Sequence, residues 1–209
     1  MAEQAGSLAR RLRKVIADPR VLAAIAEIPR DVFVPEDQRS HAYDNTALPI
    51  DCGQTISQPL VVGRMLEVLE LQPSDRVLDV GTGSGYHAAL LSLLAGQVWT
   101  IERHPALAEQ AQRVISALGL TNVEFFVGDG SVGLATAAPF DAINVAAATT
   151  AEGLDTLERQ LADGGRLVAP IEADGDQRLI LERRLADRID RAWLEPVRFV
   201  PLVHDPAQP

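Results

Sequence analysis

The chain holds one cysteine, Cys52, in 209 residues, so an intrachain disulfide and a cysteine-rich metal site are excluded and a reducing compartment fits. Positive charge is scarce too. Nineteen Lys and Arg face 29 Asp and Glu, a net charge of -10, which argues against a phosphate-tracking groove and so against nucleic acid as a partner. No run approaches the roughly eighteen apolar residues of a membrane-spanning helix, and the N-terminus lacks the apolar core of a signal peptide. There is no internal repeat and no low-complexity tract. The expectation from these absences is a cytoplasmic protein working on neither membrane nor nucleic acid. What is plentiful is apolar surface: 47% of the residues are hydrophobic, enough for one substantial core and too little for two. We therefore expect one domain over 1–209, with an N-terminal segment (1–59), a core (60–172) and a C-terminal edge with a tail (173–209).

Leu8, Leu12, Val15 and Ile16, then Val21, Leu22, Ile25 and Ile28, recur at helical spacing and predict two short helices broken near Asp18-Pro19. Arg10, Arg11, Arg13 and Lys14 lie on their wet side, a solvated face rather than a binding patch. Residues 29–59 carry four of the thirteen prolines and little periodicity, so they read as an irregular segment of the kind that often carries function. A helix over 61–71 follows, then alternation: strand to Val80, helix 87–94, strand 97–102, helix 105–118, strand 123–127, strand 140–145, helix 151–161 and strand 166–170. Alternation of this kind implies a parallel sheet with helices on both faces. Beyond Asp174-Gly175-Asp176, two strand-like runs over 177–184 and 192–200 without a helix between them predict an antiparallel edge, and 205–209 reads as a frayed tail.

One run stands apart: Val77-Leu78-Asp79-Val80-Gly81-Thr82-Gly83-Ser84-Gly85-Tyr86, a strand feeding a bare turn into a helix. Its Gly-x-Gly-x-Gly lacks the last spacing of the dinucleotide fingerprint and is weak alone. Its neighbours decide. Glu102 ends the strand 97–102, twenty-one positions after Gly81, where a nucleoside-binding sheet places a carboxylate for two ribose hydroxyls, and Gly128-Asp129-Gly130 ends the next strand. Asp79 with Gly81, Thr82, Gly83, Ser84 and Gly85 would face the methionine part of S-adenosylmethionine, Glu102 its ribose, and Asp129 with Gly130 its adenine edge. Acids beside the loop oppose a pyrophosphate and suit a sulfonium, which favours S-adenosylmethionine over NAD. The expected fold is thus a Rossmann-like class I S-adenosylmethionine-dependent methyltransferase with a mostly parallel, seven-stranded α/β sheet.

Gly53-Gln54-Thr55-Ile56-Ser57-Gln58-Pro59 lies directly before this core, and here the chain resembles the protein-L-isoaspartate (D-aspartate) O-methyltransferases. Pro29-Arg30, Phe33-Val34-Pro35, Val127-Gly128-Asp129-Gly130, Ala138-Pro139-Phe140-Asp141 and Gly164-Gly165-Arg166-Leu167-Val168-Ala169-Pro170 extend the likeness over roughly residues 28–202. The resemblance implies methylation of the α-carboxylate of L-isoaspartyl residues in damaged proteins and peptides. It also implies Ser57 as the active-site serine, Thr55 and Ile56 beside it on the substrate side, Val200 and Leu202 in the peptide-binding wall, no metal, and a monomer. Without its flanking signature Ser57 would read as a turn residue. One departure is clear: where the family reads Ala-Ala-Ala-Pro, this chain has Ala146-Ala147-Ala148-Thr149-Thr150, which restores a backbone N–H. A methyltransferase for another carboxylate or a small molecule, and a non-catalytic S-adenosylmethionine-binding module, are the alternatives. His41, His87, His104 and His204 have no metal spacing, His104-Pro105 reads as a helix start, Trp99 as core and Cys52 as a small packed residue.

Overall fold

The computed structural model describes residues 2–173 and 175–204; the predicted tail 205–209 lies outside them, as does Asp174 in the predicted turn. Two amphipathic helices, α1 (Ala2–Leu12) and α2 (Pro19–Glu27), break where predicted. Pro19 supplies the first helical position of α2, and the Asp18 side chain accepts from Arg20 N–H at 2.8 Å, an N-cap that explains the break. Residues 30–58 hold only 3₁₀ turns and an antiparallel pair of two-residue strands, β1 (Leu48–Pro49) and β2 (Thr55–Ile56). Then come α3 (Pro59–Val68), β3 (Arg76–Val80), α4 (Tyr86–Leu94), β4 (Gln97–Glu102), α5 (Pro105–Ala117), β5 (Val123–Val127) and β6 (Phe140–Val145).

The chain ends in α6 (Asp155–Glu158), β7 (Leu161–Ala173), β8 (Asp176–Leu185) and β9 (Arg188–Pro196). The seven strands order as β5-β4-β3-β6-β7-β8-β9, parallel from β5 through β7 and antiparallel beyond. Strand order reverses between β3 and β6, which opens a crevice at their carboxyl ends.

Side chains of the central strands alternate between two cores. Val77, Val98 and Ala142 face one formed with α1 to α4, whereas Leu78, Trp99 and Ile143 face a second with Phe140, Leu154 and Leu157. Trp99 is core, as predicted, edge-on to Phe140 at 5.8 Å.

Two elements differ from expectation. The helix predicted over 151–161 is a 3₁₀ turn, Glu152–Leu154, and the single α-turn of α6. Leu154 and Leu157 do bury. The chain leaves the helix because Gln160 O accepts from Phe140 N–H at 2.8 Å and Leu161 pairs with Phe140. The last strand, predicted over 192–200, runs instead from Arg188 to Pro196, and 197–202 forms an extended strap back toward the crevice. Arg188 to Arg191 carry no apolar pattern; they form a strand because the turn at Ala186 (φ 52) folds them onto β8. Cys52 is likewise not packed but exposed, at φ 57 in a tight turn.

Candidate active site

A cleft of about 820 Å³, counted out to its open mouth, lies over the switch point between β3 and β6. One wall is the side where the sequence predicts the cofactor. Gly81 N–H donates to Ile101 O at 2.9 Å, which ties the glycine turn to β4. Glu102 is 6% exposed, and its two oxygens accept from Gly83 N–H at 2.9 Å and His104 N–H at 3.0 Å. The carboxylate is thereby fixed while keeping lone pairs free for further donors. Gly81, Thr82, Gly83, Ser84, Glu102 and Gly130 all line the cleft. At Gly130 an added Cβ would come within 2.7 Å of Val80 Cγ1, so only glycine lets this loop approach β3.

Three residues expected at the cofactor are not among those that line the cleft. Asp79 does not line the cleft; it is fully buried beneath the glycine turn. Its register neighbours on β4 and β6 are Thr100 and Asn144, and its two oxygens accept from Thr100 Oγ1 and Asn144 Nδ2, both at 2.8 Å. Thr82 Oγ1 joins this row through Thr100 at 2.6 Å. Asp79 therefore anchors the turn from below. Burial drives its carboxyl up to about 6, against the two hydrogen bonds that lower it. Gly85 caps α4 at φ 89 and faces Ala111 of α5, not the cleft. Asp129 accepts from Ser131 N–H at 2.8 Å and Ser131 Oγ at 2.6 Å, and pairs with His204 at 3.1 Å.

The opposite wall comes from the irregular N-terminal segment and the strap. Thr55, Ile56 and Ser57 of the segment and Val200 and Leu202 of the strap line the cleft. Hydrogen bonds from Ala148 N–H to Val200 O (2.8 Å) and from Leu202 N–H to Ala148 O (2.6 Å) hold the strap. The departure at Thr149 has a structural use: its N–H donates to Pro170 O at 3.1 Å, a bond a proline could not make.

Tyr86 and His87, missed by sequence reasoning as site residues, also line the cleft. Both are buried, and Tyr86 Oη and His87 Nε2 have no hydrogen-bond partner among the described residues. Burial first, then the Arg30 charge, pulls His87 down to about 3, so it is neutral at pH 7. Their signal was positional, since the first helical residues after a glycine turn face its ligand. Among the described residues no group of three or more His, Cys, Asp or Glu is placed to hold a metal ion.

This donor set fits a nucleoside carrying a cation: a fixed carboxylate, a bare backbone turn and apolar walls at Val80, Ile101 and Leu202. Comparison with known proteins agrees. The family described as protein-L-isoaspartate(D-aspartate) O-methyltransferase matches residues 4–207. A protein-L-isoaspartate O-methyltransferase of Koribacter versatilis is 51% identical over 188 residues, 90% of this chain and 84% of the relative. One from a Roseiflexus species is 50% identical over 192 residues, 92% and 88% respectively. Among solved structures, a protein-L-isoaspartate O-methyltransferase superposes with TM-score 0.87 at 29% identity, over 98% of this chain and 66% of its own. A Plasmodium falciparum chain of the same assignment, solved with S-adenosyl-L-homocysteine, gives 0.82 at 26% identity, over 95% and 98%. The chain belongs to the protein-L-isoaspartate(D-aspartate) O-methyltransferase family.

Proposed function

We propose that this protein repairs damaged proteins and peptides by transferring a methyl group from S-adenosylmethionine to the α-carboxylate of L-isoaspartyl residues. The observation that carries this reading is that Ser57 and Glu102 line the same cleft. S-adenosylmethionine, when bound, supplies a methyl group on an electron-poor sulfonium. Glu102 would accept from its ribose hydroxyls, Gly81 to Ser84 would lie along its methionine part, and Gly130 would flank the adenine, with Asp79 and Gly85 shaping the turn from behind.

An isoaspartyl α-carboxylate is already ionised near pH 7, so no general base is needed. The residues' task is placement and exclusion of water. Ser57 Oγ–H would donate to the acceptor carboxylate and set its orientation, with Thr55 beside it. Ile56, Val200 and Leu202 would cover the peptide and keep water from the two charges. The methyl ester product then closes to a succinimide by loss of methanol, and hydrolysis returns part of it to normal aspartate.

The whole chain acts as one unit in this reading, since both walls of the cleft come from segments far apart in sequence. We further read it as a cytoplasmic monomer with neither nucleic-acid nor membrane partner. The charge of -10 and the exposed Cys52, suited to a reducing compartment, support this.

The test is transfer of labelled methyl from S-adenosylmethionine to two peptides identical except for L-isoaspartate or L-aspartate at one position. Labelling of the isoaspartyl peptide alone is expected. Labelling of neither, or of both equally, overturns the reading.

A further inference from the structure

Arg30 opens the first 3₁₀ turn of the irregular segment and is fully buried, which is unusual for a guanidinium. Its Nε donates to Ala42 O at 2.9 Å and its Nη2 to Ser57 O at 2.8 Å, while Nη1 has no hydrogen-bond partner among the described residues. The guanidinium carbon lies 4.7 Å from the centroid of the Tyr86 ring, a cation–π distance. Phe33, three residues on, meets the same ring edge-on at 5.5 Å. One side chain thus joins the end of the second 3₁₀ turn, the carbonyl of Ser57 and the first residue of α4. Burial pulls its pKa down to about 10, which leaves it cationic at neutral pH.

A methionine would fill much of this space without the cost of burying a charge. Two features give the charge a use. Ser57 lies between a two-residue strand and the start of α3, with too little regular structure on its own to fix it. The Glu102 carboxylate lines the same cleft, in a protein of net charge -10, so an anionic acceptor entering here meets repulsion that the cofactor's sulfonium and a cation close behind the acceptor's seat offset together.

We propose that Arg30 is a positioning residue for methyl transfer: it fixes Ser57 through its carbonyl and supplies the buried positive charge that draws the acceptor's carboxylate into the cleft. The proposal rests on the reading of the cleft as an isoaspartyl site. It assigns the two roles to different atoms: the fork sets geometry, and the charge sets affinity for the anionic peptide. Arg30→Lys keeps the charge but cannot reach two carbonyls in a fixed fork. Arg30→Met removes both.

The experiment measures kcat and KM for the isoaspartyl peptide in wild type, Arg30→Lys and Arg30→Met, with affinity for S-adenosyl-L-homocysteine and thermal unfolding followed in parallel. Arg30→Lys is expected to lower kcat about tenfold with peptide KM within about threefold. Arg30→Met is expected to raise peptide KM about tenfold or more besides. Both should keep wild-type affinity for S-adenosyl-L-homocysteine. An unchanged kcat in Arg30→Lys overturns the proposal, as does a loss of product affinity that matches the loss of rate, the mark of a merely structural residue. If Arg30→Met does not fold, the kcat-against-KM split of Arg30→Lys decides alone. Absence of methylation by the wild type would instead strike the isoaspartyl reading itself.

Discussion

The two walls of the cleft are built differently. The cofactor wall stands at the ends of adjoining parallel strands, and its elements are fixed by ladder pairing, by the Asp79-Thr100-Asn144 row and by backbone N–H groups that hold Glu102. The acceptor wall is a pair of two-residue strands and an extended strap. Isolated bonds hold it: Arg30 donates to Ser57 O, Phe199 N–H donates to Gln177 Oε1 at 2.6 Å, and the strap backbone bonds Ala148. Regular structure thus carries the part of the site whose ligand never varies. The part that must admit many peptide sequences is assembled from loops.

The largest test of that contrast compares two left-handed glycines. Gly85, at φ 89, would place a Cβ 2.9 Å from Ala111 Cβ, whereas Gly53, at φ 67 in the acceptor segment, has nothing within 4 Å. Gly85→Ala combines backbone strain with a clash against a packed helix and should cost about 2–4 kcal/mol. Gly53→Ala meets strain only and should cost about 1 kcal/mol. Urea unfolding of both variants measures this, and equal losses would break the comparison.

Asp79 gives the next effect, in pH dependence. Its carboxyl is raised from 3.8 to about 6 by burial, so between those values the folded protein holds a proton that the unfolded chain releases. Folding stability from this group therefore falls as pH rises from about 4 to 6. It is fully lost above, and the total is roughly 3 kcal/mol. Asp79→Asn removes the titration. The stability of the variant minus that of wild type should grow by that amount across the same window in thermal melts. A flat difference would show that Asp79 is ionised throughout.

A crossed pair of variants separates the walls by function. On the proposed reading Ser57→Ala removes a hydrogen bond to a charged group, and should cost about 1.5–3 kcal/mol or roughly ten- to a hundredfold in rate with S-adenosylmethionine affinity nearly intact. Glu102→Ala should weaken S-adenosylmethionine binding first, and more than the loss of ribose contacts alone would, because Gly83 and His104 N–H groups also lose their acceptor. Titration calorimetry together with methyl-transfer rates reads both. Equal effects on affinity and rate in the two variants would erase the division.

The same division decided what the sequence revealed. Strands 97–102, 123–127 and 140–145 are largely apolar runs with Gly, Pro or an acid at one end at least, and they form where predicted. The glycine turn was legible because its run of left-handed angles, φ 91, 52 and 89, favours glycine. Asp79 reads locally as an acid at a strand end; that it lies under the turn follows from its register with Thr100 and Asn144, which no local pattern reports. Arg30 was legible only as part of a motif, since its partners Ala42 and Ser57 are 12 and 27 positions away. The strap misled for a similar reason: Val197 still bonds Gln177 O of β8, but Phe199 N–H turns to the Gln177 side chain and Val200 O to Ala148 N–H, so residues that look like strand leave the ladder.

The smallest effect belongs to the tip of that strap. His204 Nδ1 lies 2.6 Å from Ser131 Oγ and 3.1 Å from Asp129, with the His204 side chain 64% exposed. A pair so open to solvent contributes less than about 1 kcal/mol. The two backbone bonds between Ala148 and residues 200 and 202, with the Gln177 contacts, already hold the strap over the cleft. His204→Ala should therefore shift unfolding by less than about 1 kcal/mol. Its peptide KM should rise by no more than about threefold, which is less than 1 kcal/mol at a tenfold change per 1.4 kcal/mol. A larger rise in KM would mean that the acceptor wall depends on its tip, and that the strap is held at its end rather than along the Ala148 pairing.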